Sequence, residues 1–140
     1  MDEGIISAGA SSRAPVRAGT NSPQRILVVN DETDARQLNV DVLIEAGYEV
    51  DAAKDGASGW DALQLNGYDL VVTDNHMPRM TGIEMIAKMR SAGMAVPVIM
   101  ATGAFPAAII ERNPWLKPDA SLETPFSNDE LLTTVKKVLR

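Results

Sequence analysis

From Arg25 onward the chain alternates between two kinds of apolar patterning. Ile26-Leu27-Val28-Val29, Leu70-Val71-Val72-Thr73 and Val98-Ile99-Met100-Ala101 are short, continuous apolar runs, as expected of strands covered on both faces. Tyr48 to Ala53 and the brief Ala120-Ser121-Leu122 read as two further strands. The stretches between them have helical character. Thr33 to Ala46 places Ala35, Leu38, Val42 and Ala46 on one predicted face and is followed by Gly47, where a left-handed cap fits. Gly56 to Asn66 is entered through Asp55 and closed by Gly67. Thr81 and Glu84 form a T-x-x-E capping box before Ile83, Ile86 and Ala87, and Ser127 and Glu130 repeat it before Leu131, Val135 and Val138. Phe105 to Pro118 is less regular: Pro106 suits a first helical turn, and Pro114 must stop that helix within about two turns.

Five strands alternating with five helices predict an α/β domain, a doubly wound (βα)5 unit with a five-stranded parallel sheet. The expected division is a flexible N-terminal tail over residues 1–23 and one domain over 24–140. The first segment is rich in Ser, Ala, Gly and Arg, with Ile5, Ile6 and Val16 as its larger apolar groups. It buries too little to offset its ordering entropy.

Charge and composition narrow the function. A formal net charge of -6 argues against direct contact with nucleic acid or an anionic membrane surface. The chain has no cysteine, which excludes thiolate metal sites, disulfides and thiol nucleophiles. Neither a spanning apolar run nor a secretion-signal pattern stands at the N-terminus, so a cytoplasmic location is expected.

In an open parallel sheet, ligands sit beyond the carboxyl ends of the strands. Those ends deliver Asn30, Asp31 and Glu32 from the first strand and Asp74 from the third. The fourth delivers Thr102 and Gly103, and the fifth Thr124. Two carboxylates from neighbouring strands make an oxygen-rich site suited to a hard cation such as Mg²⁺. A hydroxyl at Thr102 can hydrogen-bond a phosphoryl oxygen beside it.

At these residues the sequence resembles a family. Ile26 to Glu32 is similar to the opening of bacterial response-regulator receiver domains. Leu70 to Asp74, followed by Met77-Pro78 and Gly82, resembles their phosphorylation-site strand and loop. Ala101-Thr102-Gly103 resembles the switch segment, and Leu122-Glu123-Thr124-Pro125-Phe126 stands where the family carries a Lys-Pro-Phe ending. The resemblance covers Arg25 to Arg140. It implies a flavodoxin-like strand order of 2-1-3-4-5 and a phosphoryl group passed to Asp74 from a histidine kinase or phosphotransfer protein. It further implies Mg²⁺ held by Asp31, Asp74 and the backbone carbonyl of His76, with Asn30 acting through water. Thr102 would contact the phosphoryl group, and output would pass to a separate partner protein.

Three positions depart from the family pattern. Asn30 replaces one of the usual two acids, removing a charge. Thr124 replaces the lysine, and a neutral hydroxyl gives a bond about half as strong as a charge-assisted one. Among the possible replacements Lys117, Lys54 and Arg79, only Arg79, in the loop after Asp74, is a candidate. Ser121 occupies the slot of the aromatic switch, so the face formed by the last two helices and fifth strand should look unusual.

Blander roles compete with these. Asp31 can cap the first helix, and Thr102 can be a plain turn residue. The His76 side chain reads as surface, Trp60 and Trp115 as packing groups, and most methionines as core filler. Two functions follow: a single-domain response regulator driven by phosphorylation, or a phosphorylation-independent pseudo-receiver that binds protein. An enzyme is disfavoured, because an aspartyl-phosphate phosphatase wants a second acid at the position of His76.

Overall fold

The structure, a computed structural model, describes residues 5–7 and 23–140. Its strands are β1 (Ile5–Ser7), β2 (Arg25–Val29), β3 (Glu49–Ala53), β4 (Leu70–Thr73), β5 (Val98–Thr102) and β6 (Ala120–Glu123). They form one sheet in the order β1-β3-β2-β4-β5-β6. From β2 to β6 every pairing is parallel, which is the expected doubly wound order.

β1 is an addition. It runs antiparallel to β3, with Ile5 opposite Ala53 and Ser7 opposite Asp51. The segment expected to be a flexible tail therefore contributes a short edge strand. A three-residue strand leaves no periodicity to read, whereas the open edge of β3 offers unpaired N–H and C=O groups to any extended neighbour. Residues 1–4 and 8–22 of the expected tail lie outside the described residues.

The helices are α1 (Thr33–Glu45), α2 (Gly56–Leu65), α3 (Gly82–Ser91), α4 (Ala107–Arg112) and α5 (Asn128–Leu139). Alternation along β2 divides the core in two. Leu27 and Val29 face α2 and α3, joining Val71, Met85, Ile86 and Met89. Ile26 and Val28 face α1 and α5, joining Val40, Leu43, Leu131 and Val135. Both capping boxes form, at Thr81/Glu84 and at Ser127/Glu130. α4 has six residues before the tight turn Pro114–Leu116, as Pro114 requires.

The inward face of α1 differs from expectation. Leu38 is 54% exposed, Ala46 is exposed, and the buried positions are Asn39, Val40, Val42 and Leu43. Val40 and Leu43 set the stripe, rotating it by about one position (~100°). A polar residue at Asn39 hid that rotation from the apolar count. Gly47 takes the left-handed conformation expected of it, with φ 103°. Gly67 does not, because α2 ends on an extended Asn66 with φ -135°.

Candidate functional site

The β2–β4 register brings Val29 opposite Thr73, so the residues that follow each strand emerge side by side. Asp74 N–H donates to the Val29 carbonyl at 3.0 Å, which fixes Asp74 at the mouth of the sheet, half-buried. Its Oδ1 accepts from the Asn75 N–H at 2.6 Å. Among the described residues Oδ2 has no partner and no cation pairs with Asp74, so one carboxylate oxygen is free.

The loop after Asp74 is tied down from behind. Asn75 is buried, and its Oδ1 accepts from Ile83 N–H at 3.0 Å, at the start of α3. Gly82 N–H donates to the Asn75 carbonyl at 2.9 Å. A Cβ at Gly82 would lie 2.3 Å from the Asp74 carbonyl oxygen, so only glycine allows α3 to start this close. The Met77-Pro78-x-x-x-Gly82 spacing thus positions Asp74. Asn75 escaped the sequence reading because a loop amide gives no signal of burial.

On the neighbouring strand, Asn30 is engaged locally. Its Oδ1 accepts from Glu32 N–H at 2.9 Å, closing an Asx turn. Asp31 is exposed and uses its carboxylate in no hydrogen bond or ion pair among the described residues. It does not cap α1, whose N-cap is Glu32 without a side-chain bond. Arg36, which sequence reasoning passed over, donates from Nη1 to the Asn30 carbonyl at 3.0 Å.

Thr102 ends β5 and is buried, and its Oγ1 accepts from Ala104 N–H at 3.2 Å. The hydroxyl proton stays available for a phosphoryl oxygen. Thr124 follows β6, donating its N–H to the Thr102 carbonyl at 3.3 Å. A Cβ on Gly103 would come within 2.9 Å of Thr124 Oγ1, so Thr102, Gly103 and Thr124 form one corner.

The cation proposed to replace the family's lysine is placed elsewhere. Arg79 has φ 70° and pairs with Asp55 Oδ2 at 3.5 Å, its side chain 59% exposed. The buried carboxylate that caps α2 attracts it away from Asp74. Ser121 is exposed on β6, beside a cavity of about 460 Å³ bordered also by Thr134, Lys137 and Val138. Trp60 packs against the core as expected. Trp115 does not: it is 52% exposed, with Phe105 and Ile109 also exposed around α4.

A hard cation fits the oxygen donors present. Asp31 and Asp74 are unpaired by any cation, and the His76 carbonyl accepts no hydrogen bond among the described residues. The same residues contain no cluster of three or more His, Cys, Asp or Glu side chains able to hold a metal. Backbone and water oxygens must therefore complete the set, as is usual for Mg²⁺. No helix among the described residues is long and apolar enough to cross a membrane.

The chain has known relatives. Residues 26–136 match the family model for the response regulator receiver domain. Response regulator MprA of Mycobacterium sp. (strain KMS) is 36% identical over 120 residues, covering 84% of this chain and 51% of that protein. Transcriptional regulatory protein TcrA of Mycobacterium tuberculosis is 36% identical over 142 positions, covering 99% of this chain and 54% of its own length. The chain spans about half the length of the curated relatives it matches. Among solved structures, response regulator TrrA of Thermotoga maritima, in complex with Mg²⁺-BeF, has TM-score 0.73 at 34% identity, covering 82% of this chain and 98% of that one.

Proposed function

The chain belongs to the response-regulator receiver domains of two-component systems, and from that premise we propose that Asp74 accepts a phosphoryl group from a histidine kinase or phosphotransfer protein. The observation that carries this reading is the free Oδ2 of Asp74, held by its neighbours while Asp31 and the His76 carbonyl stand uncommitted beside it. Mg²⁺ bound by Asp31, Asp74 and the His76 carbonyl, with Asn30 reaching it through water, would screen the charge of the incoming phosphoryl oxygens. In the transfer, Asp74 Oδ2 bonds to phosphorus as the P–N bond breaks, its electron pair going to the imidazole nitrogen. Thr102 donates its hydroxyl to a phosphoryl oxygen. Thr124 offers a second, neutral donor at the corner beside Gly103.

Residues 24–140 act as the receiver unit, in the cytoplasm. It signals to a separate output protein through protein contacts, without touching nucleic acid or membrane and without turning over a substrate. Incubation with Mg²⁺ and acetyl phosphate followed by intact-protein mass spectrometry tests the first step. One added phosphoryl mass on the wild type and none on Asp74→Ala is expected. No addition, or its survival in Asp74→Ala, defeats the proposal.

A phosphorylation-independent pseudo-receiver is favoured by Thr124 and by the commitment of Asn30 Oδ1 to its own loop. It predicts equal partner affinity in the presence and absence of the phosphoryl group, since a ligand with equal affinity for two states shifts neither.

A further inference from the structure

Beside Asp74, between α1 and the β6–α5 connection, lies a groove of about 280 Å³. That is just below the range of about 300 to 1,000 Å³ usual for drug-sized ligands, which suits a smaller molecule. Asp74, Glu32, Thr124 and Asn39 line it together with the apolar Leu38 and Phe126. No Lys, Arg or His lines it. Arg36 is spent on the Asn30 carbonyl, and Arg79 on Asp55.

Asn39 is the unexplained residue. It is only 7% exposed, and its carboxamide makes no hydrogen bond with any described residue. Its amide oxygen and nitrogen are not sealed from solvent, since Ser58 Oγ is the side-chain atom buried without a partner among the described residues. The carboxamide therefore opens onto the groove it lines, at an inward-facing α1 position where an aliphatic side chain is the ordinary choice. The Thr124 hydroxyl likewise has no hydrogen bond among the described residues. Leu38, 54% exposed, adds an uncovered apolar wall.

We infer that this groove binds a small organic primary ammonium ion, its charged head at Asp74, Thr124 and Asn39 and its apolar body on Leu38 and Phe126. The acceptors match the head: an ammonium has three N–H donors for the Asp74 carboxylate, Thr124 Oγ1 and Asn39 Oδ1. Charge selects the class, because Asp74 and Glu32 repel a carboxylate or phosphate ligand and a neutral alcohol forgoes the attraction. The inference does not require Asp74 to be phosphorylated, so either reading can fail without the other.

The test is a titration of the full chain with 2-phenylethylammonium in magnesium-free buffer, followed by ¹H–¹⁵N NMR. Saturable shifts at the Asn39 side-chain amide and the backbone amides of Leu38, Thr124 and Phe126 are expected. Under the same conditions 2-phenylethanol and 3-phenylpropionate should bind about tenfold more weakly or not at all. Asn39→Leu keeps the volume while removing the acceptor, and should weaken ammonium binding about tenfold. Leu38→Ala, at an exposed position, should weaken it with an unchanged melting temperature. Absence of saturable shifts, equal binding of the alcohol, or undiminished binding by both variants overturns the inference.

Discussion

Replacing Asn75 by alanine cuts the loop that carries Asp74 away from the start of α3. The bond lost is the 3.0 Å contact from Ile83 N–H to Asn75 Oδ1. Ile83 is the second residue of α3, so its N–H has no partner within the helix. Both residues are buried, Asn75 6% and Ile83 7% exposed, which keeps water from replacing the lost acceptor. An orphaned buried donor costs about 1–3 kcal/mol; with the small void left behind, about 2 kcal/mol is expected. Thr81→Ala is the internal comparison, since Thr81 Oγ1 accepts from Glu84 N–H at an exposed site on the same helix end. Loss of that cap should cost about 1 kcal/mol. For a chain of this size these losses correspond to melting shifts of roughly 6–10 °C and 3–5 °C. Urea unfolding followed by circular dichroism gives both values, and an unchanged m-value shows that stability alone has moved. If Asn75→Ala costs no more than Thr81→Ala, burial does not decide the energy of this loop and the reasoning fails.

Other substitutions probe the helices and the corner of the site. Leu43→Ala should lose about 2–5 kcal/mol, as a fully buried core residue does, and Leu38→Ala no more than about 0.5 kcal/mol; equal losses in denaturant would contradict the inward face assigned to α1. Gly82→Ala should destabilise by about 1–3 kcal/mol, because the clash is with the Asp74 backbone oxygen at 2.3 Å and outweighs alanine's better helix propensity. A more stable Gly82→Ala in thermal melts would refute that. Thr124→Lys should raise the phosphorylated fraction reached at a fixed acetyl phosphate concentration, because it adds a cation where the site has a neutral hydroxyl. An unchanged fraction by mass spectrometry would show that the missing cation does not limit the reaction.

The parts of the fold legible in the sequence were those with redundant signals. The three central strands β2, β4 and β5 are continuous apolar runs, and α3 and α5 each carry a capping box together with an apolar stripe. The parallel sheet and Asp74 at a strand end follow from these. Features resting on one residue against its surroundings were not legible. β1 is too short for a period. Asn39 is a polar residue on an inward face, which rotated the reading of α1. Asn75 and Arg36 act through single hydrogen bonds to backbone atoms distant in the loop geometry. Arg79 was a candidate by its nearness in sequence to Asp74, but the electrostatics of the α2 cap, visible only in three dimensions, draw it to Asp55.

Borohydride reduction of the phosphorylated chain tests the central claim most directly, because it converts an aspartyl phosphate into homoserine at the modified position alone. After incubation with acetyl phosphate and Mg²⁺, peptide sequencing by tandem mass spectrometry should find homoserine at position 74 and retain aspartate at position 31. Homoserine at position 31 or elsewhere, or aspartate throughout, would contradict the assignment of Asp74 as the phosphoryl acceptor.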